Sequence, residues 1–144
     1  MKYLNEMKLS FPAKSVNEAF ARSAVTAFLL ELDPTIAELA DIKTAVSEAV
    51  TNCIVHGYKR EKGTVYIDAK ITEEKRVIIK IRDKGVGIED VKKAMQPLFT
   101  TAEEDERAGL GFAVMQSFMD KVKVRSTLGK GTSVTLEKLI VSVR

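Results

Sequence analysis

The stretch that most constrains the fold runs from residue 44 to residue 58, where apolar and polar residues recur with the period of an α-helix. At about 100° per residue, six apolar or small residues share one side of this helix. They are Ile42, Val46, Ala49, Val50, Cys53 and Ile54. Asp41, Glu48, Asn52 and His56 lie along another side. We therefore predict a helix with one face in the core and a second, polar face.

The polar face contains a carboxylate and a carboxamide on neighbouring turns. Glu48 and Asn52 are four residues apart, so their side chains are adjacent on the helix surface. Glu48 could accept a proton, while the Asn52 oxygen could coordinate a hard cation such as Mg²⁺. Taken alone, the pair is more typical of a solvated helix face. A phosphoryl-transfer site therefore requires partners elsewhere in the chain.

Charge and cysteine content exclude several classes of protein. The net charge of the 144 residues is only +3, and no segment combines clustered basic residues with aromatic ones, so we expect no direct nucleic-acid binding. The single cysteine, Cys53, cannot form an internal disulfide and fits a small core position. The chain lacks the pattern of a signal peptide and has no apolar run long enough for a membrane span. We expect one soluble, cytoplasmic domain over residues 1–144.

The segments before this helix are predicted as a strand and a helix. Residues 4–11 alternate as a strand, and Ser15 with Glu18 forms a capping-box pattern for the helix that follows. This helix is expected to bury Val16, Phe20, Ala24, Ala27 and Phe28. Asp33 is predicted to cap the next helix, with Pro34 at its first position. Gly57 is predicted to end that helix.

A predicted hairpin leads into the second candidate motif. Residues 64–71 and 76–82 are β-rich and joined by a short polar turn, which indicates two antiparallel strands. The second strand runs into Asp83-x-Gly85-x-Gly87. Glycines at alternate positions let a backbone approach a ligand closely, and an aspartate can accept a hydrogen bond from an amino group. By itself the motif is also typical of a plain tight turn.

The last third of the chain contains the third candidate motif. Residues 97–111 are rich in charged and small residues and predict a mobile loop, after which a helix over 112–119 begins next to Gly109 and Gly111. Its free N–H groups would then be available to phosphate oxygens. Residues 121–126 and 132–139 predict two more strands. The fold class is therefore α+β, a two-layer sandwich of a mixed, mostly antiparallel sheet with three main helices on one face.

Together and in this order, the three motifs resemble the nucleotide-binding fold shared by gyrase, Hsp90 chaperones, histidine kinases and MutL proteins. Gyrase, Hsp90 and MutL relatives need large downstream domains. Histidine kinases need a phosphoacceptor histidine on a separate helix. The only histidine of this sequence, His56, lies instead inside the site helix, as a polar residue at the helix end. Four segments look closely like the small bacterial anti-sigma factors that are also serine kinases, above all those of sporulation. They are residues 48–58, 97–101, 106–112 and 118–120.

The resemblance covers nearly the whole chain and implies a Bergerat-type site for ATP or ADP and Mg²⁺. It implies that Asn52 binds Mg²⁺, Glu48 is the general base, Asp83 receives the adenine amino group and Arg107 reaches the γ-phosphate. The remaining nucleotide-binding positions it implies are Gly85, Gly87, Thr100, Gly109, Leu110, Gly111 and Thr132. Val114 stands where histidine kinases have a further glycine, so the course of the lid stays open.

The resemblance also implies partners. These are a sigma factor, which would contact Arg22, an anti-anti-sigma protein phosphorylated on serine, and a second copy of the chain, bound through the first strand and neighbouring helix. Two alternatives remain open: a relative of the general-stress type, and a nucleotide-gated binding module without kinase activity. Glu48 favours the kinase, because a binding module has no need of a carboxylate beside the metal.

Overall fold

The structure is a computed structural model that describes residues 2–96 and 103–142, of which residues 103–109 are described by their backbone alone. Its centre is a five-stranded sheet in the order β1-β2-β3-β5-β4, in which every neighbouring pair is antiparallel. The strands are β1 (Tyr3–Pro12), β2 (Thr64–Thr72), β3 (Arg76–Asp83), β4 (Lys121–Thr127) and β5 (Gly131–Leu139). The predicted strands and the predicted hairpin over residues 64–82 are therefore confirmed.

Four α-helices accompany the sheet. They are α1 (Val16–Leu29), α2 (Ile36–Asn52), α3 (Val91–Met95) and α4 (Glu103–Phe118). Alternate residues of β2 and β3 are fully buried, whereas those between them are partly exposed or exposed. One face of the sheet therefore packs into the core with the helices, and the other, which we call the open face, is turned towards solvent. This is the predicted two-layer α+β fold, except that the sheet of the described residues is wholly antiparallel instead of mixed.

The buried face of α1 differs from the predicted one. Ala21, Val25 and Leu29 are buried, whereas Val16 is 74% and Phe20 49% exposed. The buried residues are spaced by four, so they form a straight row along the helix. The prediction placed the core beneath Phe20, but this ring stands edge-on against Phe11 at a centroid distance of 6.0 Å. Which side of an alanine-rich helix is buried depends on the surface against which the helix packs. The prediction from periodicity alone therefore gave the wrong buried side.

Both predicted helix caps were also wrong. Ser15 has helical torsion angles and makes no side-chain capping bond. Asp33 has a left-handed φ of 49° and ends a short 3₁₀ turn. The capping box forms instead at the start of α2, where Thr35 is extended and exchanges hydrogen bonds with Glu38 at 2.9 and 3.1 Å. A capping side chain must leave the helical conformation, and Thr35 does so.

The predicted polar and apolar faces of α2 are confirmed, including burial of all six residues of its apolar side. The end of this helix has an unpredicted form. Residues Cys53–Gly57 form a π-helical turn, in which the Tyr58 amide donates to the Cys53 carbonyl at 2.9 Å. Such widened turns are frequent at functional sites. Gly57 does end the helix, as predicted.

Helix α4 begins earlier than predicted. Its first residue is Glu103, so residues 103–111, predicted as part of a mobile loop, are helical, and Gly109, Leu110 and Gly111 lie within the helix instead of before its start. The amides of these three residues are therefore engaged in the helical hydrogen-bond pattern. Residues 97–102 of the predicted loop, including Thr100, lie outside the described residues.

Candidate functional site

Glu48, Asn52 and Gly111 come together where α4 crosses α2. A Cβ atom built on Gly111 would lie 3.1 Å from the Glu48 Oε2 atom and 3.3 Å from both Asn52 amide atoms. Any larger residue would therefore press on both polar side chains. Glycine at this position lets the two helices approach while the carboxylate and the carboxamide stay beneath α4. The predicted Glu48 and Asn52 pair thus lies at a helix crossing and is not a solvated face.

Asn52 has an unpaired polar atom. Its Nδ2 atom is buried and has no hydrogen-bond partner among the described residues. Buried amide groups are nearly always paired, so such an atom marks a place where a ligand completes the site. The described residues contain no group of three or more His, Cys, Asp or Glu side chains able to hold a metal ion. The unpaired Nδ2 group is a hydrogen-bond donor, so it suits an anionic oxygen of a ligand, such as that of a phosphate. Only the Oδ1 atom of Asn52 could coordinate a metal ion.

Glu48 has the properties of a proton acceptor. Its partial burial raises the pKa of the carboxyl above the ordinary value of 4.5, and the negative charge of Glu18 on α1 raises it further. Both causes disfavour the charged form, because burial removes water and a like charge repels it. A raised carboxyl pKa brings the group closer to the pH at which it can exchange protons.

Asp83 lies in a close-fitting pocket at the end of β3. Only 7% of the residue is exposed. A carboxylate oxygen accepts a hydrogen bond from the Gly85 amide at 2.9 Å, and the carboxylate also accepts from the Cys53 thiol. Burial raises the pKa of Asp83 despite these bonds, and it raises the pKa of the Cys53 thiol strongly. The cysteine predicted as a core residue is thus also a neighbour of the site.

The loop after Asp83 rests directly on the π turn. A Cβ on Gly57 would lie 2.7 Å from the Asp83 carboxylate, and a Cβ on Gly85 would lie 2.0 Å from the Gly57 carbonyl oxygen. That oxygen accepts a hydrogen bond from the Val86 amide at 2.9 Å. Gly87 has a φ of 77°, which glycine adopts readily. The two predicted glycines therefore allow this close contact with α2.

Thr132 faces Asp83 across the sheet. It pairs with Asp83 in the β3–β5 register and with Ser126 in the β4–β5 register. The hydroxyls of Thr132 and Ser126 are hydrogen-bonded at 2.8 Å, and the Ser126 hydroxyl also accepts from the Ile88 amide at 2.7 Å. This network connects the Asp83 loop to β4 and β5, and it holds Thr132 beside the carboxylate.

The site is arranged along one helix. Glu48, Asn52 and Gly57 are on successive turns of α2 and its π extension, so they are spaced by about 6 to 7.5 Å along the axis. Asp83 contacts the Gly57 end, while Gly111 covers the Glu48 end. An elongated ligand could therefore contact an acceptor at one end and the carboxamide and carboxylate at the other.

Several predicted site residues are not joined to this cluster. The Arg107 side chain lies outside the described residues, as does Thr100. Leu110 is exposed on α4. Arg22 lies on α1, where its Nε atom is 3.2 Å from the Glu18 carboxylate, the predicted ion pair. The roles of these four residues therefore stay predictions.

Sequence reasoning missed three residues of the site. Gly57 was assigned only to ending a helix, and Ser126 was not considered. Tyr58 donates from its hydroxyl to the Thr64 carbonyl at 2.6 Å and accepts from the Lys84 amide at 2.8 Å, so it holds the chain next to Asp83. Pairing of the two last strands could have indicated Ser126 opposite Thr132. No sequence signal indicates the contact of Gly57 with Asp83.

Comparisons with known proteins agree with this geometry. The histidine kinase-like ATPase domain family matches residues 11–138. The chain is 60% identical over 142 residues to the anti-sigma F factor of Thermoanaerobacter sp. (strain X514), covering 99% of each chain. It is 53% identical over 134 residues to that of Clostridium acetobutylicum, covering 93% of each.

Solved structures show the same fold at lower identity. The RsbU and RsbW domains of a Mycobacterium tuberculosis protein superpose with a TM-score of 0.69 at 20% identity, covering 94% of this chain and 32% of that one. A blue-light activated histidine kinase of Erythrobacter litoralis gives a TM-score of 0.56 at 22% identity, covering 76% of this chain and 32% of that one. Among the described residues, no helix has the length and apolar character needed to span a bilayer.

Proposed function

Because the chain belongs to the histidine kinase-like ATPase family and, within it, to the anti-sigma F factors, we propose that it inhibits a sporulation sigma factor and phosphorylates a serine of an anti-anti-sigma protein. The observation that supports the kinase activity is the convergence of Glu48 and the unpaired Asn52 amide beneath Gly111. We also propose that the protein acts in the cytoplasm as a homodimer.

In this proposal the ligand is ATP, bound along α2. Asp83 accepts a hydrogen bond from the adenine amino group, and Gly85, Gly87 and Thr132 lie beside the base. Asn52 would hold Mg²⁺ together with phosphate oxygens, and the nucleotide with its metal supplies the transferable phosphoryl group. The fit to a nucleotide is supported by the buried, unpaired Asn52 Nδ2 donor, which a phosphate oxygen would satisfy.

Glu48 performs the proton transfer. It accepts the proton of the substrate serine hydroxyl as that oxygen bonds to the γ-phosphorus and the bond to the departing ADP oxygen breaks. Arg107 and the 109–111 segment, with Thr100, are proposed to contact the phosphates. In the described conformation the 109–111 segment is helical, so this role requires its amides to be released from α4 when the nucleotide binds.

Glu48→Gln separates the kinase from a nucleotide-gated binding module. The amide keeps the shape of the side chain but cannot accept the proton, so serine phosphorylation should fall by about 10²-fold or more. The rate is measured with radiolabelled ATP and the anti-anti-sigma protein, and ATP affinity should stay within about twofold. Glu61→Gln, the same change at an exposed residue, serves as control. A normal rate in Glu48→Gln would remove the general-base role, and no phosphorylation by the unaltered chain would favour the binding module.

Arg22→Ala tests the sigma-factor contact. As an anchor at a protein interface, Arg22 should contribute about 2 kcal/mol or more to sigma-factor binding. As a half-exposed ion pair with Glu18, it should contribute well under about 1 kcal/mol to stability. Binding is measured by calorimetry and stability by thermal unfolding, with exposed Lys43→Ala as control. Unchanged sigma-factor affinity in Arg22→Ala would mean that the contact surface lies elsewhere.

A further inference from the structure

At one end of the sheet lies a shallow depression with a volume of about 460 Å³, which is lined by residues of both sheet faces. It is formed by the ends of β3, β4 and β5 and by the turn between the last two strands. Besides Asp83, Gly131 and Thr132, its lining residues are four cations and three residues with hydroxyl side chains. They are Arg82, Lys84, Arg125, Lys130, Ser126, Thr127 and Ser133. This volume is within the range of small-ligand sites.

Strand register brings the two arginines of the depression to either side of one serine. Arg82 pairs with Ser133 across β3 and β5, and Ser133 pairs with Arg125 across β5 and β4. Neighbouring strands are about 4.8 Å apart, so the two arginine backbones are separated by about 10 Å with a hydroxyl between them. Guanidinium groups on side chains of this length can converge on one anion above Ser133.

The charges of these four cations are not balanced by ion pairs within the described part of the chain. Asp83 is the one acidic residue among the lining residues, and its carboxylate is buried against Gly57 and accepts from the Gly85 amide. Like charges held this close repel one another, and a bound anion relieves that repulsion.

Tyr66 holds two of the cations in place. The Arg82 guanidinium lies 4.7 Å and the Lys84 ammonium 5.0 Å from the centre of its ring. Cation–π contacts restrict these otherwise flexible side chains without neutralising their charge. Because the ring is already engaged by cations, it is poorly placed to stack on a nucleic-acid base.

We propose that this depression binds a phosphate group, with Arg82 and Arg125 as its bidentate contacts, Ser133 as a hydroxyl donor, and Lys84 and Lys130 as additional charge. Arginine forks match the oxygens of a phosphate, and its double charge suits four cations better than a single carboxylate does. The depression adjoins the proposed base site, because Asp83 and Thr132 line both. Its proposed phosphate contacts lie on the open face of the sheet, away from Glu48 and Asn52. Its ligand is either a small phosphorylated molecule or a phosphoserine on another protein.

The test is a titration of the ¹⁵N-labelled full chain with inorganic phosphate at constant ionic strength, followed by NMR. The amide signals of Arg82, Arg125 and Ser133 should shift to saturation. Arg82→Gln and Arg125→Gln should each weaken the affinity about tenfold. Lys123→Gln, the same loss of charge one position along the same face of β4 but outside the depression, should change it less than about twofold.

Two further titrations, with a phosphoserine peptide and with acetate, identify the source of the phosphate and test the choice of ligand. A short phosphoserine peptide that binds at least tenfold tighter than phosphate assigns the site to a phosphoprotein, and equal affinity assigns it to a small molecule. Shifts that do not saturate, or equal weakening by Lys123→Gln and Arg125→Gln, would show diffuse attraction and overturn the site. Acetate binding as tightly as phosphate would overturn the choice of ligand.

Discussion

Asp83 is a single residue that lowers the stability of the fold and is proposed to bind the ligand. Its carboxylate is almost wholly buried, and its pKa is raised because burial outweighs the hydrogen bonds from Gly85, Cys53 and Thr132. A buried charge that keeps a raised pKa is held at some expense of stability. Such an arrangement is typical of a binding residue, whose remaining hydrogen-bonding capacity is satisfied by a ligand.

Asp83→Asn should weaken adenine nucleotides by about 10²-fold or more, because an amide can present a donor where the adenine amino group requires an acceptor. ATP and GTP affinities are compared by calorimetry. The loss should be specific to adenine, so weak GTP binding should change much less. Unchanged ATP affinity in a folded Asp83→Asn variant would exclude this residue from the base site.

Asp83→Asn should also change how the free energy of unfolding depends on pH. Because the folded-state pKa of Asp83 lies above the ordinary value of 3.8, the folded state binds the proton more tightly than the unfolded state does. Its contribution to stability is thus fully present below about pH 3.8 and is lost as the pH rises through the raised pKa. Relative to Asp83→Asn, the unaltered protein should therefore lose stability in urea unfolding as the pH rises above about 3.8. The opposite slope would contradict the raised pKa.

Among the elements, the π turn of Cys53–Gly57 and the loop after β3 behave as one unit. The loop is held by the hydrogen bond from Val86 to Gly57, and Val86 in turn accepts from the Gly129 amide at 2.6 Å. Gly85 contacts the backbone of Gly57, which no rotation of a side chain can move away. The position of the proposed base site therefore depends on contact between a helix end and a strand end that are far apart in sequence.

Gly85→Ala should break this contact, since its Cβ would lie 2.0 Å from the Gly57 carbonyl oxygen. We expect a loss of about 2 to 3 kcal/mol in unfolding free energy and loss of ATP binding. Gly129→Ala is the matched control, because its Cβ meets no atom within 4 Å and only its φ of 80° is unfavourable. That change should cost about 1 kcal/mol and leave ATP affinity intact. Equal loss of ATP binding in both variants would contradict the proposed coupling.

At the scale of the whole molecule, the two edges of the sheet differ. On β4, Lys121, Lys123 and Arg125 are exposed, and charged residues on an edge strand disfavour pairing with another chain. Near the other edge, Tyr3 and Leu4 of β1 and Val16 and Phe20 of α1 are exposed apolar residues. An apolar group beside an open strand edge is typical of a protein interface.

Leu4→Glu should therefore convert the proposed homodimer to a monomer, because it places a charge in an interface formed by the first strand. Light scattering after size-exclusion chromatography measures the mass. Leu128→Glu, which alters an equally exposed leucine on the β4–β5 turn, should leave the dimer unchanged. A monomeric unaltered chain, or a dimer that persists in Leu4→Glu, would exclude this interface.

Much of the fold could be predicted from the sequence because it depends on local periodicity. The six-residue apolar face of α2, the strands and the turns between them follow from spacing along the chain. The order of the three motifs was also sufficient to indicate the nucleotide-binding family, and with it the pairing of Glu48 with Asn52 on one helix face. These features involve residues close in sequence or a pattern carried by the whole chain.

The tertiary structure decided what depends on contact between distant segments. The buried side of α1 follows from its packing, the covering of Glu48 by Gly111 depends on the crossing of α4 over α2, and the pocket of Asp83 requires the π turn at Gly57. The alignment of Arg82, Ser133 and Arg125 likewise arises only from the register of three strands. Sequence spacing determines which side chains share an element, whereas packing between elements determines which of them meet.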